Sequence, residues 1–158
     1  MKNIKNHVFP LFAVIAIMAL TLMPGCSLVQ SGVQRDLNAA RDKWERSGID
    51  DYEYHLRVLC FCPPNNTFPV IIKVQNGVNL SVEYAQEPKE VTNDFFKPLD
   101  TIDKLFGIIQ NAIDTGADSL IVEYDATYGY PKSIEIDPIT NAIDEEISYF
   151  IEAFFPGA

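Results

Sequence analysis

Tyr52-Glu53-Tyr54-His55-Leu56-Arg57-Val58-Leu59-Cys60-Phe61-Cys62 is the stretch that decides the fold. Tyr52, Tyr54, Leu56, Val58, Cys60 and Cys62 fall at every second position, with Glu53, His55 and Arg57 between them. A period of two puts successive side chains on opposite faces, so this is a strand with one buried and one wet face. Pro63-Pro64-Asn65-Asn66 ends it, since proline offers no ladder N–H.

Upstream, Val33, Leu37, Ala40 and Trp44 recur at helical spacing, with Gly48 as the stop. Downstream, Val70, Ile72 and Val74 make a second strand, Asn76-Gly77 a hairpin turn, and Leu80, Val82 and Tyr84 a third strand. A polar stretch over 86–97 crosses to a second half with the same order. There Asp100 reads as a helix N-cap with Asp103 in the first turn. Ile102, Leu105, Phe106, Ile109, Ala112 and Ile113 then share one helical face, and Gly116 closes the helix. Strands are expected at 120–124, at 134–136 and around 147–151.

Phe68-Pro69-x-x-Ile72-x-Val74 and Tyr130-Pro131-x-x-Ile134-x-Ile136 hold matching places in the two halves. They read either as the trace of a duplicated helix-plus-three-strands unit or as chance likeness between hairpins. The expected fold class is α+β: an antiparallel sheet with its helices on one face, formed as a single domain over 33–158.

The first 25 residues precede that domain and read as a secretory leader. Lys2 and Lys5 form a positive start, and 8–22 is an apolar run too short for an ordinary spanning helix. Met23-Pro24-Gly25-Cys26 resembles the lipobox of bacterial lipoproteins, with a small residue directly before the cysteine. That resemblance implies cleavage before Cys26, diacylglycerol on its thiol, and 26–32 as a short lipidated tether. More than one acyl chain gives stable anchoring where a single chain is marginal. The expected location is the cell envelope: the outer membrane facing the periplasm in a Gram-negative cell, otherwise the outer face of the cell membrane.

The whole chain has 158 residues, with 12 basic and 22 acidic side chains and a formal charge of −10. That balance disfavours nucleic acid, whose phosphates demand a basic surface, and electrostatic docking on anionic lipid. With Cys26 assigned to lipid, Cys60 and Cys62 remain, an even number for an oxidising compartment.

Cys60-Phe61-Cys62 carries the most evident chemistry. As a thiol-redox site it needs a helix N-terminus or nearby cation to lower a thiol pKa, and nothing places it at a helix start. As a metal site it needs further ligands, and His55 has the opposite strand parity. A possible disulfide or a pair of buried thiols is the structural reading. In an extended strand, i and i+2 lie roughly 6.6 Å apart, so a bridge requires the strand end to curl.

Asp125, Asp137, Asp144, Glu145 and Glu146 form a second candidate, gathered at one end of the sheet or spread over a solvated face. No D-x-D-x-D calcium loop, G-x-S-x-G or H-E-x-x-H is present. Gly129-Tyr130-Pro131 suits the tight start of a strand, flanked by Asp125 and Asp137 as acceptors for turn N–H groups or as weak ligand candidates. No residue is assigned to catalysis or to a metal, and no cofactor is expected beyond the covalent lipid on Cys26.

Several blocks together are similar to the bacterial lipoprotein family catalogued as domain of unknown function 6174. They are Trp44, Gly48-Ile49-Asp50-Asp51-Tyr52-x-Tyr54, Cys60-Phe61-Cys62-Pro63 and Thr101-Ile102-x-x-Leu105-Phe106. Val122-x-Tyr124-Asp125, Gly129-Tyr130-Pro131-x-x-Ile134-x-Ile136-Asp137 and Asp144-Glu145-Glu146 complete the series. The resemblance covers about 41–151 and implies an envelope lipoprotein without an established activity. The expected role is therefore a non-catalytic binding module for another envelope protein, held at the membrane by its lipid. The alternatives are capture of a small ligand or metal at the Cys60–Cys62 end, and thirdly an envelope enzyme of thiol-redox or hydrolytic type.

Overall fold

The computed structural model describes residues 26–157, with side chains described from residue 32 onward. The leader over 1–25, its lipobox and the side chain of Cys26 lie outside the described residues. Helix α1 spans Cys26–Ser47. Its backbone is thus helical from Cys26, through the stretch expected as a tether. Leu37, Ala40 and Trp44 form its buried stripe, and Gly48 leaves it with φ 62°.

Three strands follow: β1 (Tyr52–Cys60), β2 (Val70–Gln75) and β3 (Val78–Tyr84). The β2–β3 connection is Asn76-Gly77, with φ 51° and 72°, the paired left-handed conformation of a two-residue hairpin. Asp51 and Asp50 hold this turn: Asn76 N donates to Asp51 Oδ1 (2.7 Å) and Gly77 N to the Asp50 carbonyl (2.8 Å).

The stretch expected as polar crossing contains a short 3₁₀ segment, Asp94–Leu99, whose Phe96 and Leu99 enter the core. Helix α2 (Ile102–Thr115) is capped by Thr101, whose hydroxyl accepts from Lys104 N (3.3 Å). Asp100, the expected cap, instead binds the Lys104 ammonium at 2.6 Å. Gly116, at φ 70°, ends the helix. Strands β4 (Ser119–Tyr124), β5 (Pro131–Asp137) and β6 (Ile147–Pro156) complete the fold.

The six strands form one antiparallel sheet in the order β3-β2-β1-β6-β5-β4. The last strand of the second half, rather than its first, lies beside β1. Each half is therefore a three-strand meander, and the two meanders run in the same order across the sheet, 3-2-1 followed by 6-5-4.

Bulges adjust the alternation in three ladders. In β6, His55 faces Ala153 while Leu56 faces Ile151, leaving Glu152 as the extra residue. An inserted residue reverses side-chain parity, so Tyr149 and Ile151 point inward before it and Phe154 after it. In β3, Lys73 faces Ser81 and Val74 faces Asn79. Leu80, expected on the inner face, is the bulged residue and stands exposed.

Both helices cover the same sheet face. Trp44 of α1 meets Tyr52 and Phe154 edge-on, with ring centroids 5.3 and 5.8 Å apart. Phe106 of α2 stacks on Tyr124. The two buried tyrosines of β1 tie the start of α2 to the sheet. Tyr52 Oη accepts from Ile102 N at 3.0 Å, and Tyr54 Oη donates to the Leu99 carbonyl.

Candidate functional site

Cys60 ends β1 on the helix-facing side, half-buried, and the chain turns back at Phe61 before Pro63. The turn brings the Cα atoms of Cys60 and Cys62 to 5.3 Å, with their sulfurs in contact as a disulfide. This is the curl that a bridge between i and i+2 requires. Phe61 projects into solvent. His55 sits on the opposite sheet face with its Nε2 3.3 Å from Glu53 Oε1, where it cannot share a ligand set with the cysteines. Among the described residues no three His, Cys, Asp or Glu side chains converge as a metal site.

The Gly129-Tyr130-Pro131 corner joins β4 to β5. Asp125 organises it: its Oδ1 accepts from Thr127 N (2.8 Å) and Tyr128 N (2.6 Å), while its carbonyl accepts from Gly129 N (3.0 Å). Tyr130 stacks on Phe154 with centroids 4.4 Å apart. Burial, with Asp125 adding to it, raises the Tyr130 phenol above its ordinary pKa. The corner presses against α1, where the Lys43 ammonium donates to the Ala126 carbonyl.

Asp137 lies at the far end of β5 from this corner. Its Oδ1 accepts from Ile139 N (3.1 Å) instead. The five acids named from sequence therefore do not gather. Asp125 caps one end of the sheet, Asp137 turns the chain at the other, and Asp144, Glu145 and Glu146 are exposed on the connection to β6.

Two larger features have no motif in the sequence. The first is a cleft of about 820 Å³ on the helix-covered side of the sheet. Leu99, Ile108, Ala112, Ile136, Ile147 and Tyr149 form its apolar walls, with Lys104, Asn111 and Thr115 among its polar members. It follows the flank of α2 opposite to that meeting α1 through Phe106 and Gln110.

Gly107 also lines this cleft. A Cβ there would meet nothing within 4 Å, so packing does not demand glycine. In mid-helix glycine is unfavourable by about 1 kcal/mol relative to alanine. Tyr149 is 8% exposed, and its hydroxyl has no hydrogen-bond partner among the described residues. Burial alone pushes its phenol up to about 12. Ile147 is the ladder partner of Cys60, but Cys60, Cys62, Asp125 and Asp137 do not line the cleft.

The second feature is the sheet face that neither helix covers. Leu59, Ser148, Glu135 and Ile121 stand in register across four strands there. The next row holds Arg57, Phe150, Ser133 and Glu123. Arg57 Nε meets Glu152 at 2.6 Å and its guanidinium lies over the Phe150 ring. Lys73 pairs with Glu53 at 3.7 Å. Glu123 and Glu135 have no ion partner among the described residues. Ile121 is 57% exposed, and Leu59 and Phe155 nearly half exposed.

A six-stranded antiparallel sheet roofed by two helices, with one bare face and a cleft beside the second helix, defines a small α+β domain. The chain belongs to the family of unknown function DUF6174, whose model matches residues 36–156. The match starts within α1 and ends at the last residue of β6. No curated protein and no solved structure matches the chain.

Proposed function

We propose that this chain is a cell-envelope lipoprotein, anchored through lipid on Cys26, that acts without catalysis by binding another envelope protein through its bare sheet face. The observation that carries this reading is the composition of that face. An antiparallel sheet tolerates water on one side when that side is polar, yet here Ile121, Leu59 and Phe155 are exposed among charged residues. Apolar groups rimmed by polar ones are the anatomy of a protein interface. Arg57 and Lys73 are already paired, whereas Glu123 and Glu135 have no ion partner among the described residues. The complementary partner therefore presents an apolar contact flanked by basic side chains.

The test is site-specific photocrosslinking of the full-length protein in its own cells, with the reactive residue at Ile121, at Leu59, or at Asp114 on α2. One discrete protein adduct from both sheet positions, absent from Asp114 and weakened by Glu123→Lys with Glu135→Lys, is expected. Absence of an adduct from both sheet positions overturns the reading. The anchor is tested separately: incorporation of a metabolic acyl label is expected to vanish in Cys26→Ser, and retained label would refute lipidation there.

A further inference from the structure

We infer that the cleft beside α2 is a binding site for a small uncharged apolar molecule carrying one hydrogen-bond acceptor oxygen, the chemistry of a fatty alcohol or an acyl ester. Its volume of about 820 Å³ lies in the range of small-molecule sites, which combine apolar walls with a few placed polar groups. Apolar walls of this kind favour a hydrocarbon over water.

Three residues define the ligand. Gly107 removes the side chain that would otherwise project from the wall of α2, in a helix whose packing does not require its absence. Tyr149 supplies the polar group: it is more than nine-tenths buried, lines the cleft, and has a hydroxyl without a partner among the described residues. A phenol is protonated at neutral pH in any case and burial raises this one further, so it is a lasting donor.

Lys104 decides the charge. It is the one charged side chain among the lining residues, and its ammonium is already engaged by Asp100 Oδ1 at 2.6 Å and the Lys97 carbonyl at 2.8 Å. No free cation is left among these lining residues to neutralise a carboxylate or phosphate, and burying an unpaired anion is strongly unfavourable. An uncharged oxygen facing Tyr149 has no such penalty. The cleft and the bare sheet face lie on opposite sides of the sheet, so this site stands independently of the proposed protein partner.

The experiment uses the full-length protein in phosphatidylcholine vesicles, photolabelled with a diazirine derivative of dodecanol and mapped by peptide mass spectrometry. Label is expected on the α2 segment 104–115 and on the segment containing Tyr149, and excess dodecanol should displace it. Gly107→Phe, which fills the cleft, should lower cleft labelling at least about tenfold, while Gly107→Ala retains most of it. Tyr149→Phe should weaken labelling about fivefold, the worth of one neutral hydrogen bond. Circular dichroism and the thermal midpoint establish that each variant is folded. If Gly107→Phe fails this check, Gly107→Leu takes its place. Labelling confined to exposed surface, or cleft labelling unchanged in the folded filled variant, overturns the site. Stronger displacement by dodecanoate than by dodecanol overturns the uncharged ligand class.

Discussion

A methyl group at residue 129 would stand 2.5 Å from the Ala40 carbonyl oxygen and 2.9 Å from Lys43 Cβ. The glycine also sits at φ 86°, in the left-handed region that a Cβ disfavours. Both constraints have one origin: the β4–β5 corner leans directly on α1. The contact places Trp44 against Tyr52 and Phe154, and Tyr130 against Phe154. Gly129→Ala must push the corner away from α1 as well as strain its own backbone. We expect a loss of about 3 kcal/mol or more, measured by urea unfolding with the single tryptophan as reporter. A loss below about 1 kcal/mol would mean that α1 yields freely and that the corner does not hold it.

Among the elements, the strands and α2 were legible because burial imposes a period that the side chains must obey. Tyr52, Tyr54, Leu56 and Val58 all point inward as their alternation requires. Leu80 and Phe154 break the pattern because each lies at or just beyond a bulge, and a bulge depends on the neighbouring strand. The β1–β6 pairing was hidden for the same reason, since nothing local distinguishes it from pairing with β4. The disulfide at the end of β1 illustrates how little a short covalent loop restrains. It links residues two apart, so closing it removes little freedom from the unfolded chain. Cys60→Ser with Cys62→Ser is expected to lower stability by about 1.5 kcal/mol or less, read as the change in denaturation midpoint, which reduction of the wild-type protein should reproduce. A loss several times larger would assign the bridge a role in setting the end of β1 and its ladder contact with Ile147.

At the scale of the whole molecule, the cleft and the bare face arise from how two helices roof six strands, a spacing between layers that no local motif records. Gly107 was visible in the sequence only as a glycine inside a good helical pattern. The same layering buries phenols, and this makes the fold sensitive to alkali. Burial lifts Tyr52 and Tyr149 from 10.0 to about 12, and Tyr124 likewise, with Asp36 adding to burial there. For Tyr52, the Ile102 N–H opposes the rise, while Asp103, Asp100 and Asp50 reinforce it. The unfolded chain releases these protons near pH 10, before the folded chain does. Their contribution is therefore complete below pH 10 and is lost as pH rises towards 12. Tyr52 alone accounts for a loss on the order of 2–3 kcal/mol, enough with its neighbours to unfold an ordinary domain. An alkaline titration should show tyrosinate absorbance rising together with a cooperative change in Trp44 emission, because Trp44 packs on Tyr52. Tyr149→Phe should shift that transition to higher pH, since its hydroxyl has no partner among the described residues whose loss would offset the gain. All seven tyrosines ionising near pH 10 while Trp44 emission stays native would instead place these phenols in contact with water.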